Sequence, residues 1–109
     1  MDTLNAILRE EVEKYAGSGR GGNILLFPVL DDQRQIYAVN SVYFPDRKEA
    51  ATVVVMARLI GETIVIEEDS TDRPLVDALR QRGVPRDKII LAYAGEPIPD
   101  ADTYRLSQA

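Results

Sequence analysis

The sequence predicts one α+β domain built around an antiparallel β-meander, and three observations carry that prediction. Apolar residues recur with a helical period near the amino terminus. Four β-rich runs then follow one another with turn-length connections, and a second helical stretch comes only after them. Strands grouped in a block, instead of alternating with helices, form antiparallel sheets whose helices gather on one side.

The first element is a helix over residues 2–15. Leu4, Ile7, Leu8, Val12 and Tyr15 make one stripe, Arg9, Glu10, Glu13 and Lys14 lie opposite, and Asp2 or Thr3 supplies the cap. The stretch from Gly17 to Gly22 ends it, since glycine disfavours helix continuation. A phosphate-binding loop would follow a strand and open a helix; here the order is reversed, and the stretch reads as a flexible linker.

Asn23 to Leu30 and Ile36 to Phe44 form two strands joined by the hairpin-length connection Asp31 to Gln35. Pro28 has no amide donor, which places the first of them at a sheet edge or at a bulge. Pro45 to Glu49 is a charged loop. The run Ala50 to Ile60 then sets Val53, Val55, Ala57 and Leu59 on one face and Val54, Met56 and Ile60 on the other, so both faces of this third strand want cover. Gly61 and Glu62 turn the chain into the fourth strand, Thr63 to Glu67. A second helix is expected over residues 72–82, started by Thr71 and Asp72, with Pro74 in its first turn and Leu75, Val76 and Leu79 on its apolar side. Gly83 ends it in a left-handed conformation, and Pro85 prevents its continuation. A short fifth strand, Ile89 to Ala92, completes a domain over residues 1–95. Residues 96–109 read as a tail of little periodicity.

With 109 residues, 45% of them hydrophobic and 28% charged, the chain has the ordinary balance of one folded core. It contains neither cysteine nor histidine. Disulfides, thiolate chemistry, Ser-His and Cys-His nucleophile pairs and the usual near-neutral general base are thereby excluded. No apolar run is long enough to span a bilayer, and charges at Asp2, Arg9 and Glu10 interrupt any signal-peptide core, so a cytoplasmic protein without a membrane segment is expected. The net charge of −5 concentrates in residues 61–109, which hold ten acids against six bases. Direct nucleic-acid binding is disfavoured, because such surfaces carry clustered bases.

Two clusters invite a functional reading. Glu67, Glu68, Asp69 and Asp72 supply oxygens for a hard cation, yet neighbouring strand residues point to opposite faces and the spacing fits no calcium loop; helix capping and a solvated strand end are the preferred reading. Arg73, Arg80, Arg82 and Arg86 could form a basic face, and Arg73, Arg80 and Arg86 are the candidate partner contacts. Their acidic neighbours Asp72, Asp77 and Asp87 favour ordinary surface charge. Tyr37, Tyr43 and Tyr93 suit core or interface packing better than base stacking. No catalytic, cofactor-binding or metal-ligating residue emerges, and a non-enzymatic protein is expected.

Taken in order, Asp31-Asp32-Gln33-Arg34-Gln35-Ile36-Tyr37-Ala38-Val39, then Gly61-Glu62-Thr63-Ile64-Val65-Ile66-Glu67, Thr71-Asp72, and Gly83-Val84-Pro85-Arg86-Asp87-Lys88-Ile89-Ile90-Leu91 resemble the XisI-like family, the fdxN-element excision controlling factors abundant in cyanobacteria. The chain departs from the usual family pattern at Val42-Tyr43-Phe44, at Ile64-Val65-Ile66 and beyond Tyr93, as a divergent member would. The resemblance implies an accessory factor in programmed excision of a DNA element, acting on an XisH-like partner protein, and it supplies no active-site residue. A small ligand- or DNA-binding regulator is the alternative. Self-association is a further expectation: two helices cover one sheet face, leaving Val54, Met56, Arg58 and Ile60 of the third strand to a second copy or a partner.

Overall fold

A computed structural model describes residues 3–18, 23–45, 47 and 49–106. The stripe of apolar residues at the amino terminus forms helix α1, Leu4–Glu13, with Thr3 as its cap; the Thr3 hydroxyl accepts the Ala6 N–H at 3.3 Å. Strands β1 (Gly17–Ser18), β2 (Ile24–Asp31), β3 (Ile36–Tyr43), β4 (Thr52–Ile60) and β5 (Thr63–Asp69) follow, then helix α2 (Leu75–Gln81), strand β6 (Ile89–Leu91) and helix α3 (Ala101–Leu106). They build one α+β domain around a six-stranded sheet in sequential order, β1 to β6.

The four-strand meander β2 to β5 is the one expected from the sequence, with every neighbour antiparallel. The short last strand runs parallel to β5, pairing Ile64 with Ile89 and Ile66 with Leu91. That follows from connectivity: α2 carries the chain back along the sheet before β6 starts, and a return crossover yields a parallel pair.

Four expectations need correction. The start of the expected linker is strand, because Gly17 and Ser18 pair with Leu26 and Leu25 as β1; the rest of that stretch, like Met1, Asp2, Asp46, Lys48 and residues 107–109, lies outside the described residues. Helix α2 starts at Leu75, not at Asp72, with Pro74 as its N-cap residue. Arg73 therefore precedes the helix and does not share an α2 face with Arg80, as the basic face would need. The carboxyl-terminal stretch, read as having little periodicity, contains α3.

Asp69 explains the late start of α2. Its Oδ1 accepts the Thr71 N–H at 2.9 Å and the Thr71 hydroxyl at 2.6 Å, while its Oδ2 accepts the Leu75 N–H at 2.7 Å. One carboxylate at the end of β5 thus organises the turn and satisfies a first-turn donor that Pro74 has no side-chain group to reach. At the other end, Val84 N–H reaches the Leu79 carbonyl (3.1 Å) and Gly83 N–H that of Arg80 (3.0 Å), with Gly83 at φ +94°. This pair of bonds is a Schellman termination, and its accompanying apolar residue, Val84, is buried in the core with Leu79.

Both long helices cover the same sheet face. Leu8 and Val12 of α1 and Leu75 and Leu79 of α2 lie fully buried with Val39, Val55, Ala57, Ile64 and Ile66. Within that layer Glu11, only 2% exposed, accepts from Lys14 Nζ at 2.8 Å and from Arg82 at 2.6 Å, joining α1 to the end of α2. Burial alone pushes the Glu11 carboxyl up, but the hydrogen bonds and charges of Lys14 and Arg82 together outweigh it and hold its pKa below the ordinary carboxylate value.

Candidate functional site: the sheet face opposite the helices

The other face of the sheet has two unlike halves. On the β5 side, Val65 alternates with the core residues Ile64 and Ile66 and so points away from the helices, yet it has no exposure. Its cover is the carboxyl-terminal segment, where the turn Ala92–Ala94 packs along β5. Arg58 anchors that segment. Its Nε donates to Glu67 at 2.7 Å, and its two terminal nitrogens donate to the Asp100 carboxylate at 2.9 and 3.3 Å. Asp100, then Glu67, raises the guanidinium's pKa against the opposing effect of burial, and Arg58 in turn lowers that of Asp100.

On the β2 side there is no such cover among the described residues. Phe27 and Val29 are each 48% exposed and Val53 is 41% exposed. The register runs Phe27–Asn40–Val53 and Val29–Ala38–Met56 across β2, β3 and β4, so these side chains share one face that is apolar apart from Asn40. Phe44, just beyond β3, extends it toward the β3–β4 loop, with Arg47 stacked 4.7 Å from the Phe44 ring. At its centre the Asn40 Oδ1 is buried and accepts no hydrogen bond, alone in this among the described residues.

Of the residues expected to drive self-association, Met56 lies within the open half. Arg58 is held beneath the carboxyl-terminal segment, neutralised by two acids of its own chain. Ile60 shares the face at the β4–β5 turn and is half-buried. Val54 sits at a bulge where β4 carries one residue more than β3, and its carbonyl accepts from the Ser70 N–H at 3.0 Å and the Ser70 hydroxyl at 3.2 Å. Sequence reasoning missed Phe27 and Val29, and it set Val53 on the face of Val55, whereas the bulge at Val54 turns Val53 to the open face. The alternation of Phe27 and Val29 with Leu26 and Leu30 was the available signal, since Leu26 and Leu30 pack against the core.

The arginines do not converge. Arg73 lies over the Tyr15 ring at 4.6 Å and 3.9 Å from Glu11; Arg82 contacts Glu10 and Glu11; Arg86 donates to the Ile89 carbonyl at 2.6 Å and to Glu96 at 2.9 Å; Arg80 is exposed on α2. Of the acidic cluster, Glu67 binds Arg58 and Asp69 caps α2, and no metal-binding group of three or more ligands occurs among the described residues. Tyr37 is fully buried, its hydroxyl donating to Asp32 at 3.0 Å. No helix among the described residues is long and apolar enough to cross a membrane.

Comparison with known proteins gives a consistent picture. The family model described as "XisI protein" matches residues 1–104. A crystal structure of a XisI-like protein from Anabaena variabilis ATCC 29413 superposes with a TM-score of 0.70 at 22% identity, covering 80% of this chain and 81% of that one. The fdxN element excision controlling factor XisI from the same organism superposes with a TM-score of 0.65 at 23% identity, covering 89% and 92%. No curated protein sequence matches the chain.

Proposed function

This chain belongs to the XisI family, and from that premise we propose that it is an accessory factor controlling excision of a DNA element, which works by binding a protein of the XisH type and performs no catalysis itself. The open half of the sheet face is the surface that supports this reading. An apolar area built from Phe27, Val29, Val53 and Met56 is what a protein partner buries, and it is a poor substrate or phosphate site. The cations that would attract a nucleic-acid backbone are dispersed, and Arg73, Arg82 and Arg86 lie against acids of the same chain, which weighs against a DNA-binding regulator.

Co-purification with an XisH-like protein, followed by calorimetry, tests the reading. The wild-type chain is expected to form a stoichiometric complex that Val29→Lys and Phe27→Asp weaken at least tenfold. A complex indifferent to both changes would remove the surface from consideration. Turnover by the purified chain that disappears on neutralising one carboxylate would remove the non-enzymatic role.

A further inference from the structure

We infer that Arg86 and Glu96 form a clasp that closes the β6 edge of the sheet to strand addition by another chain, because between them they take up all the backbone groups that β6 directs outward.

A sheet can accept a strand of another chain at either edge, since an edge strand presents unpaired N–H and C=O groups. The β2 edge is obstructed by its own sequence. The Phe44 N–H donates to the Asn23 carbonyl at 2.9 Å, and the β2–β3 register runs without a shift from Ile24 to Asp31. Antiparallel ladders alternate, so Leu26, Pro28 and Leu30 direct their backbone groups outward. β1 pairs with Leu25 and Leu26, and at the next outward position Pro28 has no N–H to offer. The β6 strand, Ile89-Ile90-Leu91, contains neither proline nor charge. Its apolar, mostly β-branched residues suit strand pairing.

Side chains from either end of β6 supply what its sequence lacks. The Leu91 N–H donates to Glu96 Oε1 at 2.8 Å and so is directed away from β5. By alternation Ile89 and Leu91 face outward, and Ile90 serves the ladder with β5. Each outward residue carries one donor and one acceptor. The Ile89 N–H donates to the Arg86 carbonyl, and the Ile89 carbonyl accepts Arg86 Nη1 at 2.6 Å. The Leu91 carbonyl accepts the Glu96 N–H at 3.1 Å, which completes the pair begun by Glu96 Oε1. Arg86 and Glu96 thus each give the edge one donor and one acceptor, as a residue of an added strand would. They then bind each other, Arg86 Nη2 donating to Glu96 Oε2 at 2.9 Å. With both side chains 40% exposed, that ion pair contributes little stability by itself; the backbone groups it serves give the arrangement its sense. The Leu91 N–H, and after it Arg86, holds the Glu96 carboxyl below its ordinary pKa against the opposing effect of burial, which keeps it an ionised acceptor at neutral pH.

Native-state hydrogen exchange of the full chain, read at the Leu91 amide by NMR, tests the clasp. Exchange there should accelerate at least tenfold in Glu96→Ala, which has no side-chain acceptor, and stay within about threefold of wild type in Glu96→Gln, which keeps one. Sedimentation between about 1 and 100 μM should show more self-association in Glu96→Ala and in Arg86→Ala than in wild type, with the circular dichroism spectrum retained. Asp100→Ala is the control: it frees the same carboxyl-terminal segment from Arg58 but leaves the clasp, so Leu91 exchange and association should both stay at the wild-type level. Should Glu96→Ala lose its spectrum, Arg86→Ala read by sedimentation against Asp100→Ala decides. Equal Leu91 exchange in wild type and Glu96→Ala overturns the inference, as does association at the wild-type level in both alanine variants. Asp100→Ala behaving like Glu96→Ala overturns it too, because the effect would then belong to loosening of the segment and not to the edge.

Discussion

Gly83 offers a direct test of how the helical layer is terminated, because its role is confined to the backbone. At φ +94° it occupies a conformation that L-residues rarely adopt, and a Cβ built there meets nothing within 4 Å. A substitution should therefore cost only the torsional penalty, about 1–2 kcal/mol for a residue with a side chain, less the roughly 0.4–1 kcal/mol recovered because a non-glycine residue is less free when unfolded. For Gly83→Ala the net loss is about 0.5–1 kcal/mol. Gly83→Val, β-branched and more restricted, should lose about 1–2 kcal/mol, and Gly83→Asn the least, since asparagine tolerates the left-handed region. With an unfolding entropy of about 2.1 cal/mol/K per residue, 109 residues give roughly 0.23 kcal/mol per degree, so valine should lower the melting midpoint by about 4–9 °C. Thermal unfolding at fixed protein concentration, with urea titration to confirm an unchanged m-value, reads the series. Were valine to melt with wild type, or asparagine to melt below valine, the left-handed cap would not be what holds Val84 against Leu79.

Gln35 is the converse case, a non-glycine residue at φ 57° closing the turn that Asp31 organises through the Gln33 and Arg34 amides; Gln35→Gly should raise stability by about 0.5–1 kcal/mol in the same melts, and a loss would contradict the torsional account. Glu11 predicts an acid response. Its pKa is lowered in the folded state, so its contribution is complete above the unfolded value of about 4.3 and disappears as pH falls through the lower folded one. Glu11→Gln should cost on the order of 1–3 kcal/mol at pH 7 and should flatten the decline of melting temperature below about pH 4; an equal decline in both proteins would show that Glu11 is not the group responsible.

The local elements were legible because local chemistry decides them. The stripe from Leu4 to Tyr15 could only be an amphipathic helix, the alternation in β3 to β5 could only be strand, and Gly83 with Pro85 marked a helix end that the Schellman bonds realise. Pro28 announced an edge, and ladder alternation places it on one. Family membership was legible in the same segments, since the turn and cap residues that give the motif its specificity are those with the fewest substitutes.

Other features depended on what lies across space from each residue. Asp69 and Thr71 are two positions apart, but which of several nearby acids caps α2 follows from the angle at which β5 ends. Arg58 read as an awkward charge on an apolar face because its second acid, Asp100, lies 42 residues away; no periodicity relates the two. The same long-range contact divides the face into a covered and an open half, and so moves the candidate surface toward Phe27 and Val29. Sequence by itself determined which residues are apolar, where the chain turns and the four strands of the meander. Only the tertiary structure decided which apolar residues remain in contact with water, because burial is a property of the neighbours that folding brings in, and the segment covering Val65 is remote in sequence from the strand it covers.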